Sequence, residues 1–182
     1  MAAKTPSALV LVFDGVEEIE ALTPVDILRR AGVKVTIASV SDSLTVVGRN
    51  NIQITAESNL DQTDHSAFDL FLLPGGPGVL ELIGNQAILD ILKSRAQNEQ
   101  RTAAICAAPK VLATAGILDS IPATGHSSVR SDLPNPSDER VVSSGSITSS
   151  QGVGTAIEFS LALVKQLVDK QTANEIAASI HF

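Results

Sequence analysis

Cys106 is the only cysteine in a chain of 182 residues, and it stands where an apolar strand turns into a helix. Arg101-Thr102-Ala103-Ala104-Ile105 reads as the strand, Cys106-Ala107-Ala108 as a sharp turn, and Pro109-Lys110 as the start of the helix. Proline suits a first helical turn, where its missing N–H costs nothing. Free backbone N–H groups and the positive end of the helix dipole favour a thiolate, the reactive form of cysteine. The placement therefore predicts a pKa below the ~8.5 of a free thiol. It equally suits a small buried hydrophobe, the commonest fate of a lone cysteine, and position alone does not choose.

Glu17, Glu18 and Glu20 open the first helix. Two of the three are expected to be solvated partners of the helix dipole. A third, turned inward, would have its pKa raised by burial and could donate a hydrogen bond to a neighbouring thiolate. Spacing does not say which. Gly75 and Gly76 follow an apolar strand and could offer amides to an oxyanion, with Ala107 as a further donor. Of the three histidines, His126 follows a short apolar segment and could act as an acid or base. His65 lies in a polar loop and His181 at the C-terminus. No Gly-Lys-Ser/Thr follows the glycines, and Gly152-Val153-Gly154 lacks the full dinucleotide spacing, so nucleotide binding is not the main function. No spacing of His, Cys, Asp and Glu suggests a metal site, and no cofactor is called for.

These groups need elements to carry them. Ser7 to Phe13 is a continuous apolar run, the pattern of a strand buried on both faces of a parallel sheet, and Phe68 to Leu73 reads as another buried strand. Val33 to Ala38 is a third strand. Leu44 to Ala56 predicts a hairpin turning at Gly48-Arg49-Asn50-Asn51. Val16 to Ala31 has helical periodicity, with Pro24 expected to cap, bend or split it. One helix is expected through Ile88 to Leu92, and a short strand end at Ala123-Thr124-Gly125-His126. Ser131 to Glu139 reads as a surface loop and Arg140 to Ser150 as two short strands. Helices follow over Thr155 to Val168 and Thr172 to Ile180. The alternation predicts an α/β fold, a three-layer doubly wound sandwich around a mostly parallel, flavodoxin-like sheet, with residues 1–182 as a single domain. In such sheets the site lies beyond the carboxyl ends of the strands. That rule brings Gly15 to Glu20, Gly75-Gly76 and Cys106 to one crevice.

The chain is 44% hydrophobic, too apolar for disorder, and no apolar run is long enough to span a bilayer. A net charge of -7 with only 3% aromatics and neither Trp nor Tyr opposes nucleic-acid binding. One cysteine cannot form an internal disulfide, and the first residues lack the apolar core of a signal peptide. The expected location is cytoplasmic.

Taken together, Glu17-Glu18-Ile19-Glu20-Ala21, Leu73-Pro74-Gly75-Gly76 and Ala103-Ala104-Ile105-Cys106-Ala107-Ala108-Pro109 resemble the three signatures of the ThiJ/PfpI superfamily. The resemblance is greatest to its Parkinson disease protein deglycase branch and covers nearly the whole chain. It implies that Glu20 is the carboxyl paired with Cys106, that Gly76 and Ala107 supply the oxyanion amides, and that His126 matches a histidine of many animal members. It further implies a homodimer, with Arg30 and Arg49 near the interface and the cysteine pocket. The chain departs from the family where Gly152-Val153-Gly154-Thr155 replaces Gly-Pro-Gly-Thr, where Ser149-Ser150 replaces Thr-Ser, and where Ser127 follows His126 in place of proline. The family's additional cysteines are absent.

The activity so implied is that of a glutathione-independent glyoxalase, converting methylglyoxal or glyoxal to lactate or glycolate through a cysteine hemithioacetal. Associated deglycase action would fall on glycated amines or thiols. The alternatives are a redox sensor or stress chaperone acting through oxidation of Cys106, and a cysteine amidase or peptidase needing a histidine placed to deprotonate the thiol.

Overall fold

The computed structural model describes residues 4–182. The two segments read as buried strands form β1 (Ser7–Val12) and, further along, β6 (Leu70–Leu73). Ala8 to Val12 and Phe71 to Leu73 are wholly inaccessible to solvent, as strands covered on both faces must be. Between them come α1 (Glu18–Arg30), β2 (Lys34–Ser39), the hairpin β3 (Thr45–Val47) and β4 (Gln53–Thr55), and the short β5 (Ser58–Asn59). After β6 the chain forms α2 (Val79–Gly84), α3 (Gln86–Gln97), β7 (Arg101–Ile105), α4 (Pro109–Thr114), β8 (Val141–Ser144), β9 (Ile147–Ser150), α5 (Ala156–Leu167) and α6 (Lys170–Ser179).

Seven strands form one sheet in the order β5-β2-β1-β6-β7-β9-β8. All neighbours are parallel except β8 with β9. The five inner strands follow the flavodoxin-like winding, whose direction reverses between β1 and β6, and ligands bind at that reversal. Helices α1, α5 and α6 pack together, as do α2, α3 and α4, giving helices on both sides of the sheet.

Local structure departs from the sequence expectation at three places. Pro24 neither splits nor ends α1. It forfeits one bond, to the carbonyl of Glu20, while Ala21, Val25, Ile27 and Leu28 hold the helix through their buried face. The helix expected through Ile88 is preceded by a separate turn of helix, α2. Asn85, extended and accepting the Ile88 N–H, ends one and caps the other. Ala123 makes only an isolated bridge to Pro136, so the segment leading to His126 is not a strand.

Candidate functional site

Cys106 closes β7 with φ of 65°, a left-handed conformation that costs a residue bearing a Cβ about 1–2 kcal/mol. Two backbone bonds hold it there. Its N–H donates to the Ser150 carbonyl at 2.9 Å, and its carbonyl accepts the His126 N–H at 2.7 Å. The sharp turn lifts the thiol off the sheet end, where the Ala107 and Gly76 amides favour its charged form. Gly76 has φ of 109°. Gly75 is required by crowding: a Cβ there would lie 2.5 Å from Glu20 Oε2 and 2.6 Å from Cys106 Cβ.

Glu20 is completely buried. Its Oε2 accepts the Gly75 N–H at 3.0 Å, whereas its Oε1 is buried without a hydrogen-bond partner. Desolvation raises its pKa to about 7, against a smaller opposing effect of the neighbouring Cys106 side chain. The carboxyl is therefore suited to carry a proton beside the sulfur.

The expectation of a thiol made acidic by its turn and helix dipole is not met. Burial, then the charge of Glu20, push the Cys106 thiol up to about 12, and the two amides only partly offset this. The helix that was to supply the dipole begins three residues on and has just six residues. A thiolate is favoured only once Glu20 is protonated: the like charge then disappears, and the carboxyl becomes a donor to sulfur. Glu20, not a helix terminus, governs this cysteine.

The other two acids are not solvated as expected. Glu17 and Glu18 are each only 4% exposed. Glu18 accepts the Asn50 N–H at 2.8 Å and its side-chain Nδ2–H at 2.9 Å. Glu17 pairs with Arg49 at 3.4 Å. The β3–β4 hairpin folds back over the start of α1 and covers Glu17 and Glu18, a long-range packing that helical spacing cannot reveal.

A cavity of about 370 Å³ brings together Cys106, Glu20, His126, Arg49, Arg140 and Gly152. A larger groove of about 720 Å³, between α3 and residues 60–65, has no cysteine, so chemistry and not size locates the site. His126 is exposed at the cavity wall. Its Nδ1 lies 2.9 Å from Ser128 Oγ and accepts the Ser128 N–H at 3.2 Å, so the proton of the neutral ring sits on Nε2.

Arg30 does not reach the cavity. It ends α1, roughly 15 Å along the axis from Glu20, and pairs with Asp26 at 2.7 Å. Sequence reasoning missed Arg140, Gln151 and Thr155, which also line the cavity. They come from the residue before β8 and the segment after β9, and apart from Thr155 in the Gly152 to Thr155 motif no local pattern marks them.

Glu20, Gly76 and Cys106 thus stand at the ends of three neighbouring elements of a flavodoxin-like sheet, with a strained cysteine at their centre. The DJ-1/PfpI family matches residues 6–166, and the chain belongs to that family. Protein dj-1beta of Drosophila melanogaster is 36% identical over 96% of both chains. Its crystal structure superposes with a TM-score of 0.91, covering 97% of this chain and 98% of that one. Toxoplasma gondii DJ-1, in an oxidized form, is 32% identical with a TM-score of 0.94, over 98% of this chain and 99% of that one. The glutathione-independent glyoxalase DJR-1.2 of Caenorhabditis elegans is 31% identical over 97% of this chain and 96% of its own. Among the described residues no helix is long and apolar enough to cross a membrane.

Proposed function

We propose that the protein is a glutathione-independent glyoxalase with associated deglycase action, using Cys106 as nucleophile and Glu20 as its proton carrier. One observation carries this reading: the buried Glu20 carboxyl, with Oε1 unpartnered, beside a cysteine flanked by the Gly76 and Ala107 amides. The thiolate adds to the aldehyde carbon of methylglyoxal, and the carbonyl electron pair moves to oxygen, held by those amides. Glu20 protonates this oxygen to give the hemithioacetal. As carboxylate it then takes the proton from the former aldehyde carbon while the ketone oxygen gains one from water, giving the enediol. Glu20 returns its proton to the neighbouring carbon as the former aldehyde's hydroxyl loses its own to water. The resulting lactoyl thioester is hydrolysed by water, releasing lactate and the thiol. His126, with its proton on Nε2, serves as an acid at the cavity wall. On a glycated amine the same attack expels the amine and yields the same acid.

The test is lactate formation from methylglyoxal without glutathione. Cys106→Ser should abolish it, and His126→Ala should lower it by about 10²-fold if the ring acts as a general acid. Wild-type protein that makes no lactate while oxidising at Cys106 would transfer the conclusion to the second reading, a redox sensor. That reading draws on the same carboxyl, whose proton can be donated to a sulfinate, and on the relative studied in oxidized form. The amidase or peptidase reading has no support here, since the proton partner of Cys106 is a carboxyl.

The unit of function is proposed to be a homodimer. Ile19 (50% exposed), Leu22 and Ile52 (53% exposed) on α1 and the hairpin, with Ile157 on α5, form an open apolar face. Asp26, the partner of Arg30, borders it.

A further inference from the structure

The chain carries a net charge of -7, yet two guanidinium groups, Arg49 and Arg140, line the cysteine cavity, and its only lining carboxyl is Glu20. Burial favours the protonated form of that carboxyl. Arg49 is paired with Glu17 and Arg140 with Glu158, but neither of those carboxylates lines the cavity, so the wall itself presents guanidinium. The arginines come from separate elements, the hairpin turn and the start of β8. Each is about half exposed, with side-chain accessibilities of 50% and 57%.

Arg140 is anchored at both ends. Its carbonyl accepts the Ser150 hydroxyl at 3.0 Å and the Gln151 N–H at 3.2 Å. Its Nε donates to Glu158 at 2.8 Å and its Nη2 to the Gly154 carbonyl at 2.9 Å. Nη1 is left without a protein partner among the described residues. The exposed ion pair with Glu158 is screened by solvent and holds the fork in place more than it cancels its charge.

We infer that Arg140, with Arg49 beside it, is a carboxylate-binding subsite of the Cys106 cavity, so that the thiol favours electrophiles bearing a carboxylate and the cavity retains 2-hydroxycarboxylate products. A guanidinium lining the cavity attracts a carboxylate over a neutral group chiefly through its fixed positive charge. The proposal rests on reading Cys106 as the reactive group but not on oxoaldehyde turnover, and its test reads the thiol directly.

That test is alkylation of Cys106 by iodoacetate and by iodoacetamide, two reagents differing in one negative charge. The rate ratio is normalised to that of free cysteine. The wild-type ratio should exceed that of the free thiol and fall as salt rises, because mobile ions screen the guanidinium charges. Arg140→Gln should lower it by about three- to tenfold, the effect of one unit charge a few ångströms away in a wet site. Arg140→Lys should keep most of the preference, and Glu158→Gln should not reduce it. A salt-insensitive ratio equal to that of free cysteine overturns the proposal. So does a loss in Arg140→Lys as deep as in Arg140→Gln, because Arg140 would then act only as a clamp on the Gly154 loop. Lactate formation plays no part in the readout, so an inactive enzyme and an absent subsite give different results.

Discussion

Removing the charge of one buried atom pair, by Glu20→Gln, should make this protein more stable at alkaline pH and leave it nearly unchanged in acid. In the folded chain the Glu20 carboxyl is held at about 7, against an ordinary value of 4.5, chiefly by desolvation. Between those values the folded state keeps a proton that the unfolded chain releases, so wild-type stability falls as pH rises. Below 4.5 both states are protonated and the carboxyl makes no difference. Above 7 the folded state must ionise it in a dry site. A tenfold change in proton affinity is worth about 1.4 kcal/mol, so the full penalty is about 3 kcal/mol. Glutamine keeps an oxygen for the Gly75 N–H and has no charge to lose. For a chain of this size each kcal/mol moves the melting temperature by about 2–4 °C. The gap between Glu20→Gln and wild type should therefore widen by roughly 6–12 °C from pH 4 to pH 8. Differential scanning calorimetry of both proteins across that range supplies the comparison. Melting curves that run parallel from pH 4 to pH 8 would show that Glu20 ionises normally, and the proton-carrier role assigned to it would fall.

Two further outcomes are expected elsewhere in the molecule. Arg95 is wholly buried and donates to the carbonyls of His65, Phe68 and Arg101, so Arg95→Met should cost about 3 kcal/mol or more by stranding those acceptors. Urea denaturation with an unchanged activity per folded molecule would confirm that Arg95 ties the ends of β6 and β7 and does nothing in the cavity. Ile52→Glu places a charge on the open apolar face and should convert the proposed dimer to monomer in sedimentation equilibrium. A variant that remained dimeric would put the interface elsewhere.

Much of this chain is legible because burial on both faces writes itself into composition. The uninterrupted apolar runs before Asp14 and Pro74 mark central parallel strands without any knowledge of their neighbours, and Pro109 marks the helix after the cysteine. The rule that sites gather at strand carboxyl ends then brings the Gly15 to Glu20 segment, Gly75-Gly76 and Cys106 together from local reading, while the choice of Glu20 among the acids comes from the family resemblance. What the tertiary structure alone decides is the electrostatic state of that site. Whether Glu17 and Glu18 are solvated depends on a hairpin more than thirty residues away folding over α1, and helical periodicity is silent about that contact. The acidity of Cys106 likewise depends on how deeply the thiol itself is buried, and then on the charge of a carboxyl from α1 beside it. Arg140 reaches the cavity only through the pairing of β8 with β9. Strand and helix are set by neighbours along the chain, whereas ionisation is set by neighbours in space.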